Sequence, residues 1–483
     1  MSLVLALDIG TGSAKALAVD QRARVFYSAN TTYETSFPKP DYAEQNPDEI
    51  ASAVHGLIQQ CPESIKSQIA AISFSAAMHS IMPVDTTGKP LMPLMIWSDL
   101  RSRQQARRLK QEDSQRQLHR HTGTAIHPMS PLCKLAWLKE MKPDLLQSAY
   151  KFIGIKEYIW HKLFGVFEID QGLASATGLM HTGTKQWFAP ALDVTGIEAS
   201  KLSAIVSVYH SRSLSSANAD WRTGYLEDVR VVIGSSDGCL ANLGSGAITP
   251  DKLSVTIGTS GAVRRTIIGK EYSWADHGLF CYHLDEDHLI EGGASNNGTA
   301  VLNWYLNHML EGRESIETFI RKAMETGIGA DGLLFLPYVL GERSPFYNPD
   351  AFGAFLGIRH HHDQRHFRRA VLEGIAYMMN LIAEKIETCS GPFTSIIASG
   401  GFTHSREWVQ MLADISGKTV TVQSHEDASA MGAAILGFKA LNMTFTGGVS
   451  GTEIFQPDPV RYQYYRKAFT LFKDYAFRFN EYY

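Results

Sequence analysis

The stretch DIGTGSAK, which begins at Asp8, combines the groups that binding of a phosphate requires. Gly12 lets the backbone approach a ligand closely, and successive N–H groups in such a bend can surround phosphate oxygens. Thr11 and Ser13 add hydroxyl donors, and Lys15 adds a positive charge. Asp8 would repel phosphate unless a cation lay between them, so it is a candidate ligand of hydrated Mg²⁺. The alternative is an ordinary hairpin turn with a surface lysine.

This glycine-rich bend differs from the two best-known nucleotide motifs. It lacks the GxxxxGK[ST] pattern of a P-loop, and it neither opens a helix nor carries the third glycine of a dinucleotide-binding fingerprint. Apolar runs precede and follow it, which predicts two strands joined as a β-hairpin. The missing fingerprint argues against a dinucleotide-dependent dehydrogenase.

A second bend of the same kind, TIGTSGAV, lies near the middle of the chain. Four residues of the first bend have identical counterparts in the second: Ile9, Gly10, Thr11 and Ala14 match Ile257, Gly258, Thr259 and Ala262. Thr256 stands where Asp8 stands, so the second bend offers backbone and hydroxyl donors but no acid. We interpret the pair as an internal duplication in which one bend positions a metal and the other binds the phosphates of ATP. The alternative is that short Gly-Thr turns recur by chance.

An aspartate among small residues lies in the segment GSSDGCLANLGSGAI. Asp237 follows an apolar run that ends at Ile233, and the glycines beside it would let a substrate come close. A carboxylate there could accept the proton of an attacking hydroxyl and, in phosphoryl transfer, would mainly orient it. The alternative is an aspartate that caps a helix or forms an Asx turn, the commoner fate of Asp among Gly and Ser.

A glycine pair separates a predicted strand from a predicted helix in SGGFTHSREWVQMLADISG. Gly400 and Gly401 would let a flat ligand lie against the backbone, and Ser405 and the helix N-terminus offer donors. A purine could bind there; a strand–helix turn without a ligand is the alternative.

Around these motifs, helix-like and strand-like stretches alternate, which is typical of α/β layers. Helices are predicted at residues 46–60, 318–326, 366–389 and 406–415, and strands at residues 70–74 and 395–398. An aromatic-rich helix that packs on the second half is predicted from Asp458 to Tyr483. The segment from Ser245 to Lys252 is rich in glycine and indicates a hinge, so we predict two domains, residues 1–246 and 247–483.

The composition limits the kinds of partner. The chain has 483 residues, 44% of them hydrophobic, and a net charge of −4, so no strong field draws it to nucleic acid or to an anionic membrane. Its five cysteines are scattered without a CxxC pair, which argues against a disulfide framework and favours a reducing cytosol. Neither a signal peptide nor an apolar run of membrane length is visible. We predict a cytoplasmic protein.

In this order, the motifs resemble those of the FGGY carbohydrate kinases of the actin/hexokinase superfamily. GSSDGCLANLGSGAI and GGFTHSREWVQMLAD resemble the two family signatures, and the segments that begin at Leu336 and His425 resemble further family motifs. The resemblance covers nearly the whole chain. It implies an α/β fold with two ribonuclease H-like domains that flank a deep cleft, and ATP and Mg²⁺ as cofactors.

The resemblance also implies roles for individual residues. Asp237 resembles the general base, and Asp8 resembles the acid that positions Mg–ATP, so both lie near the metal. Lys15 belongs to the first phosphate hairpin. The other implied nucleotide contacts are Thr11, Gly12, Ser13, Gly258, Thr259, Thr299, Asn303, Gly401 and Ser405.

The substrate-binding half resembles kinases of two sugars. Met78 and His79 stand where family members carry specificity residues, and xylulose kinases also have a Met-His pair there. SAAMHS and the stretches that begin at His127 and Ile153 resemble gluconate kinases of the family, so we expect D-gluconate as substrate, with D-xylulose as the alternative. A non-catalytic ATP-binding sensor of the same fold is a remote alternative, because both Asp8 and Asp237 are present.

A sugar acid needs a cation or strong donors for its carboxylate. The candidates are Lys134, Lys156, His79 and Arg101, although the lysines could be solvated and Arg101 could pair with Asp99. Trp97 could stack on the carbon skeleton or belong to the core. The sequence does not determine the oligomeric state; because many family members self-associate, a homodimer is one expectation.

Overall fold

The computed structural model describes residues 2–113, 117–222, 228–269, 278–423, 427–447 and 451–480. His425, at which one family-like motif begins, and residues 481–483 of the predicted C-terminal helix lie outside these ranges.

Strands and helices alternate along both halves of the chain. The strands are β1 (Leu3–Ile9), β2 (Ser13–Val19), β3 (Val25–Thr32), β4 (Glu44–Gln45), β5 (Ile69–Ala76), β6 (Met82–Val84), β7 (Leu94–Met95), β8 (Lys151–Ile153), β9 (Glu168–Asp170), β10 (Met180–His181), β11 (Gln186–Trp187), β12 (Ala204–Val206), β13 (Ser211–Ser213), β14 (Arg230–Ser236), β15 (Lys252–Ile257), β16 (Gly261–Ile268), β17 (Phe280–His283), β18 (His288–Ser295), β19 (Leu334–Leu336), β20 (Ala354–Leu356), β21 (Ser395–Ser399), β22 (Thr419–Gln423) and β23 (Gly451–Phe455). The helices are α1 (Pro47–Gln60), α2 (Glu63–Lys66), α3 (Arg103–Glu112), α4 (Gln117–Thr122), α5 (Pro131–Met141), α6 (Pro143–Ser148), α7 (Ile155–Phe164), α8 (Gln171–Ser175), α9 (Ala189–Thr195), α10 (Asp237–Gly244), α11 (Thr299–Met309), α12 (Ile316–Ala323), α13 (Gln364–Ser390), α14 (Arg406–Ser416), α15 (Ala428–Ala440) and α16 (Pro459–Asn480).

Each half is built on one mixed sheet. Within the described ranges, the strand order is β13-β14-β5-β1-β2-β3 in the first sheet and β17-β18-β16-β15-β21-β22-β23 in the second. In the first sheet β1 pairs antiparallel with β2 and parallel with β5, and in the second β15 pairs antiparallel with β16 and parallel with β21. The two sheets therefore share one plan around their central hairpins, which agrees with the predicted duplication.

Local sequence explains the central strands and several helices. β1 is buried along almost its whole length, as expected of an apolar strand covered on both faces. α1 begins at Pro47, and the side chain of Asn46 accepts a hydrogen bond from the Asp48 N–H at 3.0 Å. The predicted helices and strands are confirmed; the largest difference is α12, which ends at Ala323 rather than at residue 326. Within its described part, α16 packs its buried aromatic residues into the core of the second half, as predicted.

Two glycines let a helix of the second half cross onto the first. α15 lies against α10 and also packs on β1 and β5 of the first sheet. A Cβ on Gly244 would lie 1.9 Å from the Ala428 carbonyl oxygen, and one on Gly432 would lie 2.0 Å from the Leu240 carbonyl oxygen. Only glycine therefore permits the two backbones to approach so closely. In the described part of the chain, no helix is both long enough and apolar enough to cross a lipid bilayer.

Gly432→Ala should destabilise the protein, because the added methyl group meets backbone that cannot rotate away. We expect a loss of about 1–3 kcal/mol in the free energy of unfolding, measured by chemical denaturation. Gly56→Ala is the matched control: Gly56 lies inside α1, and the nearest atom to its added Cβ is 3.8 Å away. That variant should gain up to about 1 kcal/mol from helix propensity. Equal stability of the two variants would contradict the close crossing of α10 and α15.

Candidate active site

A cavity of about 190 Å³ lies between the two halves of the chain. From the first half, Thr11, Met78, His79, Trp97 and Asp237 line it. From the second half, its lining includes Ser260, Gly261, Arg264, Tyr282, Arg343 and Tyr347. The structure thus brings together Thr11 of the first turn, Ser260 of the second turn, the predicted base and three predicted substrate contacts. The predicted phosphate contacts Gly12, Ser13, Lys15, Gly258 and Thr259 are not part of this lining.

The first hairpin holds its predicted phosphate-binding residues around a tight turn. Asp8 and Lys15 face each other in the register of β1 and β2, and the Gly10 N–H donates to the Ser13 carbonyl at 3.0 Å. Trp97 does more than line the cavity: its indole N–H donates to the Thr11 hydroxyl at 2.9 Å. Trp97 therefore orients the Thr11 side chain at the edge of the cavity.

Asp8 and Lys15 have partners from the second half of the chain. The Asp8 carboxylate accepts hydrogen bonds from the hydroxyls of Ser75 at 2.6 Å and Ser429 at 2.7 Å, and Lys15 forms an ion pair with Asp427. Asp427 and Ser429 lie at the N-terminal end of α15. The contact between the halves thus positions the acid and the lysine of the first hairpin.

The second hairpin is one residue shorter than the first. Its Gly258 N–H donates to the Ser260 carbonyl at 3.0 Å, whereas the first turn spans Gly10 to Ser13. Ala262, aligned with Ala14 in the sequence, is paired with Thr256, so the match of the two alanines does not hold in the register. The two hairpins therefore correspond residue by residue only as far as Thr11 and Thr259. Beyond these threonines, the pairing of the second strand begins one residue earlier in the second hairpin than in the first.

The predicted nucleotide-binding residues surround the second turn. The Thr299 N–H donates to the Gly258 carbonyl at 2.7 Å, and Asn303 is exposed one helical turn further along α11. On the other side, Gly400 adopts φ +94°, and a Cβ there would lie 2.6 Å from the Ile257 carbonyl oxygen. The glycine pair therefore packs directly on the second hairpin.

Gly401 and Ser405 follow that close approach. Gly401 is exposed, and an added Cβ would meet no atom within 4 Å. Ser405 caps α14, where its hydroxyl accepts a hydrogen bond from the Trp408 N–H at 3.2 Å. Together these residues leave an open, polar surface beside the second turn, of the kind that a flat base could occupy.

Asp237 reaches the cavity because β14 bulges before it ends. Its pairing with β5 shifts register between Val232 and Ser235, and Gly234 there adopts φ +72° where a Cβ would overlap the backbone of Phe74. Such bulges redirect side chains next to active sites. Asp237 is the first residue of α10 rather than part of an extended turn, and its carboxylate accepts a hydrogen bond from the Gly238 N–H at 2.7 Å.

The surroundings of Asp237 favour a proton acceptor. Burial and then the nearby negative charge of Asp8 raise its pKa to about 6, although Arg264 and Lys156 act in the opposite direction. A carboxylate with a pKa near 6 is ionised at neutral pH and is a stronger base than an ordinary aspartate. It can therefore receive a proton from a hydroxyl in the cavity.

His79 is a neutral member of the cavity wall. It adopts φ +68°, and its Nδ1 lies 2.7 Å from the Ala176 carbonyl oxygen. Burial, followed by the positive charge of Lys134, lowers its pKa to about 3. His79 can exchange hydrogen bonds with a polyol, but it does not supply the positive charge that a carboxylate needs.

The other predicted cations lie outside the lining of the cavity. Lys134 is fully buried and donates to the carbonyls of His79 and Ile96, each at 2.7 Å. Arg101 is bound to Asp99 at 2.7 Å and to Glu44 at 2.6 Å. Both side chains therefore hold segments of the cavity wall in place without reaching the cavity themselves. The alternative for Arg101, a pair with Asp99, is confirmed, whereas the solvated alternative for Lys134 is wrong because the side chain is buried.

Lys156 is likewise buried. It forms an ion pair with Asp170 at 2.6 Å and donates to the Ser235 carbonyl at 3.1 Å. It therefore supports the end of β14, directly before Asp237.

Two arginines that the sequence analysis did not single out line the cavity, where the predicted lysines and Arg101 do not. Arg264 lies on β16 and Arg343 lies in the connection between β19 and β20, and both line the cavity. The sequence did contain an indication of Arg264. In the strand sequence GAVRRTII, adjacent side chains point to opposite faces of the sheet, so Arg264 and Arg265 cannot lie on the same face. One of the two arginines must therefore point into the protein if one face of the strand is covered. Nothing local in the sequence indicates Arg343.

The donor set at Asp8 fits magnesium rather than a metal held by protein side chains alone. Among the described residues, no group of three or more His, Cys, Asp or Glu side chains is placed to hold a metal ion. Mg²⁺ typically binds through one or two carboxylates and keeps waters or takes phosphate oxygens as its other ligands. A single carboxylate next to a phosphate-binding turn satisfies that pattern.

The comparison with protein-family models gives a consistent answer for both halves. The N-terminal domain model of the FGGY family of carbohydrate kinases matches residues 3–244, and the C-terminal domain model of the same family matches residues 253–441. The chain belongs to the FGGY family of carbohydrate kinases. Like its family, this FGGY kinase is a two-domain α/β phosphotransferase that uses ATP, as the resemblance implied.

Relatives of this FGGY kinase include gluconate kinases and xylulose kinases. It is 39% identical to a gluconokinase of Bacillus subtilis over 91% of this chain and 88% of the relative. It is 28% identical to a xylulose kinase of Staphylococcus xylosus over 90% of each chain. Among solved structures, a gluconate kinase from Lactobacillus acidophilus matches with a TM-score of 0.93 and 28% identity, covering 99% of this chain and 98% of that one. A ligand-bound xylulose kinase from the same species matches with a TM-score of 0.92 and 29% identity, covering 98% and 97%.

The raised pKa of Asp237 gives the FGGY kinase an expected pH profile. Because Asp237, as the predicted base, acts in its ionised form, kcat/KM should rise with pH through about 6 and level off above it. Asp8→Asn removes one of the causes of the raised pKa, so the acidic limb of the residual activity should move to lower pH. Initial rates at saturating ATP and low sugar concentration, taken between pH 5 and pH 8, measure the acidic limb of the wild type and that of Asp8→Asn. An unmoved limb in Asp8→Asn would mean that the charge of Asp8 does not act on the titrating group.

Proposed function

We propose that this kinase transfers the γ-phosphoryl group of ATP to a hydroxyl of D-gluconate, giving 6-phosphogluconate. The observation that carries the proposal is the cavity itself, which Asp237 lines together with Thr11 of the first turn, Ser260 of the second turn and two guanidinium groups. The higher identity to a gluconokinase than to a xylulose kinase supports gluconate over xylulose. Phosphorylation of D-xylulose is the alternative, because a xylulose kinase shares the fold almost equally well.

In the proposed reaction, Asp237 orients the terminal hydroxyl of the sugar acid and accepts its proton. Phosphoryl transfer passes through a loose transition state, so placing the hydroxyl in line with the phosphate matters more than strong proton abstraction. Met78, His79 and Trp97 would contact the carbon skeleton and its hydroxyls. Lys134 and Arg101 would act behind the cavity, by fixing the segments that carry these contacts.

The nucleotide would lie across the two turns. In the first turn, the backbone around Gly12 and the side chains of Thr11, Ser13 and Lys15 would contact phosphate oxygens. In the second, Gly258 and Thr259 would do the same, and the adenosine would occupy the surface formed by Thr299, Asn303, Gly401 and Ser405. Backbone N–H groups in tight turns are suited to phosphate because they present several donors at no cost in side-chain order.

Mg²⁺ would be held near Asp8 and Asp237, where it would neutralise negative charge on the phosphates. The hydroxyls of Ser75 and Ser429 already donate to the Asp8 carboxylate and so fix its orientation.

The proposed domains, residues 1–246 and 247–483, would close on the substrates about the connection between α10 and β15. Closure would exclude water and so limit hydrolysis of ATP. We further propose that the kinase acts in the cytoplasm, because all five of its cysteines are free thiols. A homodimer remains the proposed assembly.

A panel of purified sugars and sugar acids, assayed by coupled detection of ADP, tests the proposed function. D-gluconate should give the highest kcat/KM. A much higher kcat/KM for D-xylulose would reject gluconate in favour of the alternative, and ADP release that no member of the panel stimulates would reject both.

A further inference from the structure

Two buried guanidinium groups face the substrate cavity with donors that the protein does not use. Arg264 Nη1 and Arg343 Nε are buried, and within the described ranges neither has a hydrogen-bond partner. Arg343 is held in place from one side, since its Nη2 donates to the Ser295 carbonyl at 3.1 Å and its guanidinium lies 5.1 Å from the Trp97 ring. Unsatisfied buried donors are costly, and a charged acceptor would relieve them best.

The charges around the cavity do not balance these two cations. Among the described residues that line it, Asp237 is the one acid, and His79 is uncharged because its pKa is about 3. Glu342 adjoins Arg343 in the chain, but its carboxylate already accepts hydrogen bonds from Ser295 at 2.7 Å and Asn297 at 3.2 Å. The lining of the cavity therefore carries a net positive charge that one bound anionic group would neutralise.

We propose that Arg264 and Arg343 bind the carboxylate of the sugar acid and thereby set the preference of the kinase for a sugar acid over a neutral polyol. This inference rests on the proposed function and deepens it. Guanidinium groups match carboxylates in geometry, because two parallel N–H donors can meet both carboxylate oxygens. The hydroxyl of Tyr282, which also lines the cavity, would be available to the polyol chain.

The phosphoryl group in transit is the other anion that these arginines could meet. The two sources differ in what they predict. If the arginines bind the carboxylate, their loss weakens the affinity for an anionic sugar in the absence of ATP. If they stabilise the phosphoryl group, their loss lowers kcat for every substrate alike.

The test compares D-gluconate with D-glucitol, in which a CH₂OH group replaces the carboxylate. Dissociation constants are measured by titration calorimetry without ATP, and kcat and KM are measured with ATP, for the wild type, Arg264→Met, Arg264→Lys and Arg343→Met. We expect the wild type to bind gluconate about 10- to 100-fold more tightly than glucitol, the range that a charge-assisted hydrogen bond provides. Arg264→Met and Arg343→Met should remove most of that ratio by weakening gluconate binding alone, and Arg264→Lys should recover part of it.

Arg265→Met is the matched control. Arg265 is adjacent to Arg264 on β16 but points to the other face, where it donates to the Gly391 carbonyl at 2.6 Å. Its replacement should leave the gluconate-to-glucitol ratio of the folded protein unchanged, whatever it does to stability.

Each outcome decides something. Equal binding of gluconate and glucitol by the wild type would overturn the inference even if an arginine variant failed to fold. If gluconate is phosphorylated but the ratio survives both Arg→Met changes, the carboxylate site is wrong and the proposed function stands. An equal fall of kcat on gluconate and xylulose with unchanged binding would assign the arginines to the phosphoryl group. A wild type that phosphorylates xylulose and does not bind gluconate would reject the proposed function and the inference together.

Discussion

Replacing Asp237 by asparagine should lower kcat by about 10²- to 10⁴-fold, the usual contribution of a positioned general base. Asparagine has nearly the same size and can still accept the hydrogen bond that the Gly238 N–H donates to Asp237 at 2.7 Å, so the start of α10 should survive. What the variant loses is the ability to take a proton and the negative charge that attracts the substrate hydroxyl. The measurement is steady-state turnover with saturating gluconate and ATP.

Binding of ATP to the same variant is the control. None of the proposed nucleotide contacts is removed, so the dissociation constant of ATP should stay within about threefold of the wild-type value; a change of one kcal/mol would correspond to about fivefold. The residual activity should also lose its acidic limb near pH 6, because the titrating group is gone. Turnover within a few-fold of the wild type would remove Asp237 from the mechanism.

Asp8→Asn should have the second-largest effect, a fall in kcat of about 100-fold or more, together with a higher magnesium concentration for half-maximal rate. An amide is a weaker ligand of a hard divalent cation than a carboxylate, because it carries no net charge. The fold should tolerate the change, since the Ser75 and Ser429 hydroxyls can rotate to accept from the new amide group as well as donate to its oxygen.

Ser75→Ala is the control for Asp8→Asn. It removes one hydrogen bond to Asp8, at 2.6 Å, and keeps the carboxylate, so a loss of orientation alone can be measured. A magnesium dependence that is the same in Asp8→Asn and in the wild type would remove Asp8 from the metal site. A loss in Ser75→Ala as large as in Asp8→Asn would mean that the geometry of the carboxylate, rather than its charge, dominates.

The sequence alone predicted the parts of the site that depend on local backbone chemistry. A glycine-threonine bend between two apolar runs favours a hairpin through local backbone chemistry, and both hairpins are present, with Gly10 and Gly258 each closing a turn by a backbone hydrogen bond. The order of the motifs was sufficient to indicate the family. Local sequence could not show that the second turn is one residue shorter, because a register depends on cross-strand pairing.

The partners of the charged residues could not be predicted in the same way. Lys134, Arg101 and Lys156 are buried among carbonyls and carboxylates contributed by segments up to 79 residues away, and such partners appear only when the chain has folded. A buried cation must be paired or hydrogen-bonded, so each of these residues supports structure.

The sequence by itself determined the family, the two bends and the identity of Asp8 and Asp237 as the acids of interest, because those features are short and contiguous. Only the tertiary structure decided which cations reach the cavity. Arg264 lies near the start of the second half and Arg343 lies near its middle, and both line the cavity because a strand and a distant connection converge there. Residues so far apart in the sequence come together only through the packing of the folded chain, including close backbone contacts such as those at Gly244 and Gly432. No periodicity or spacing in the sequence predicts which of them will meet.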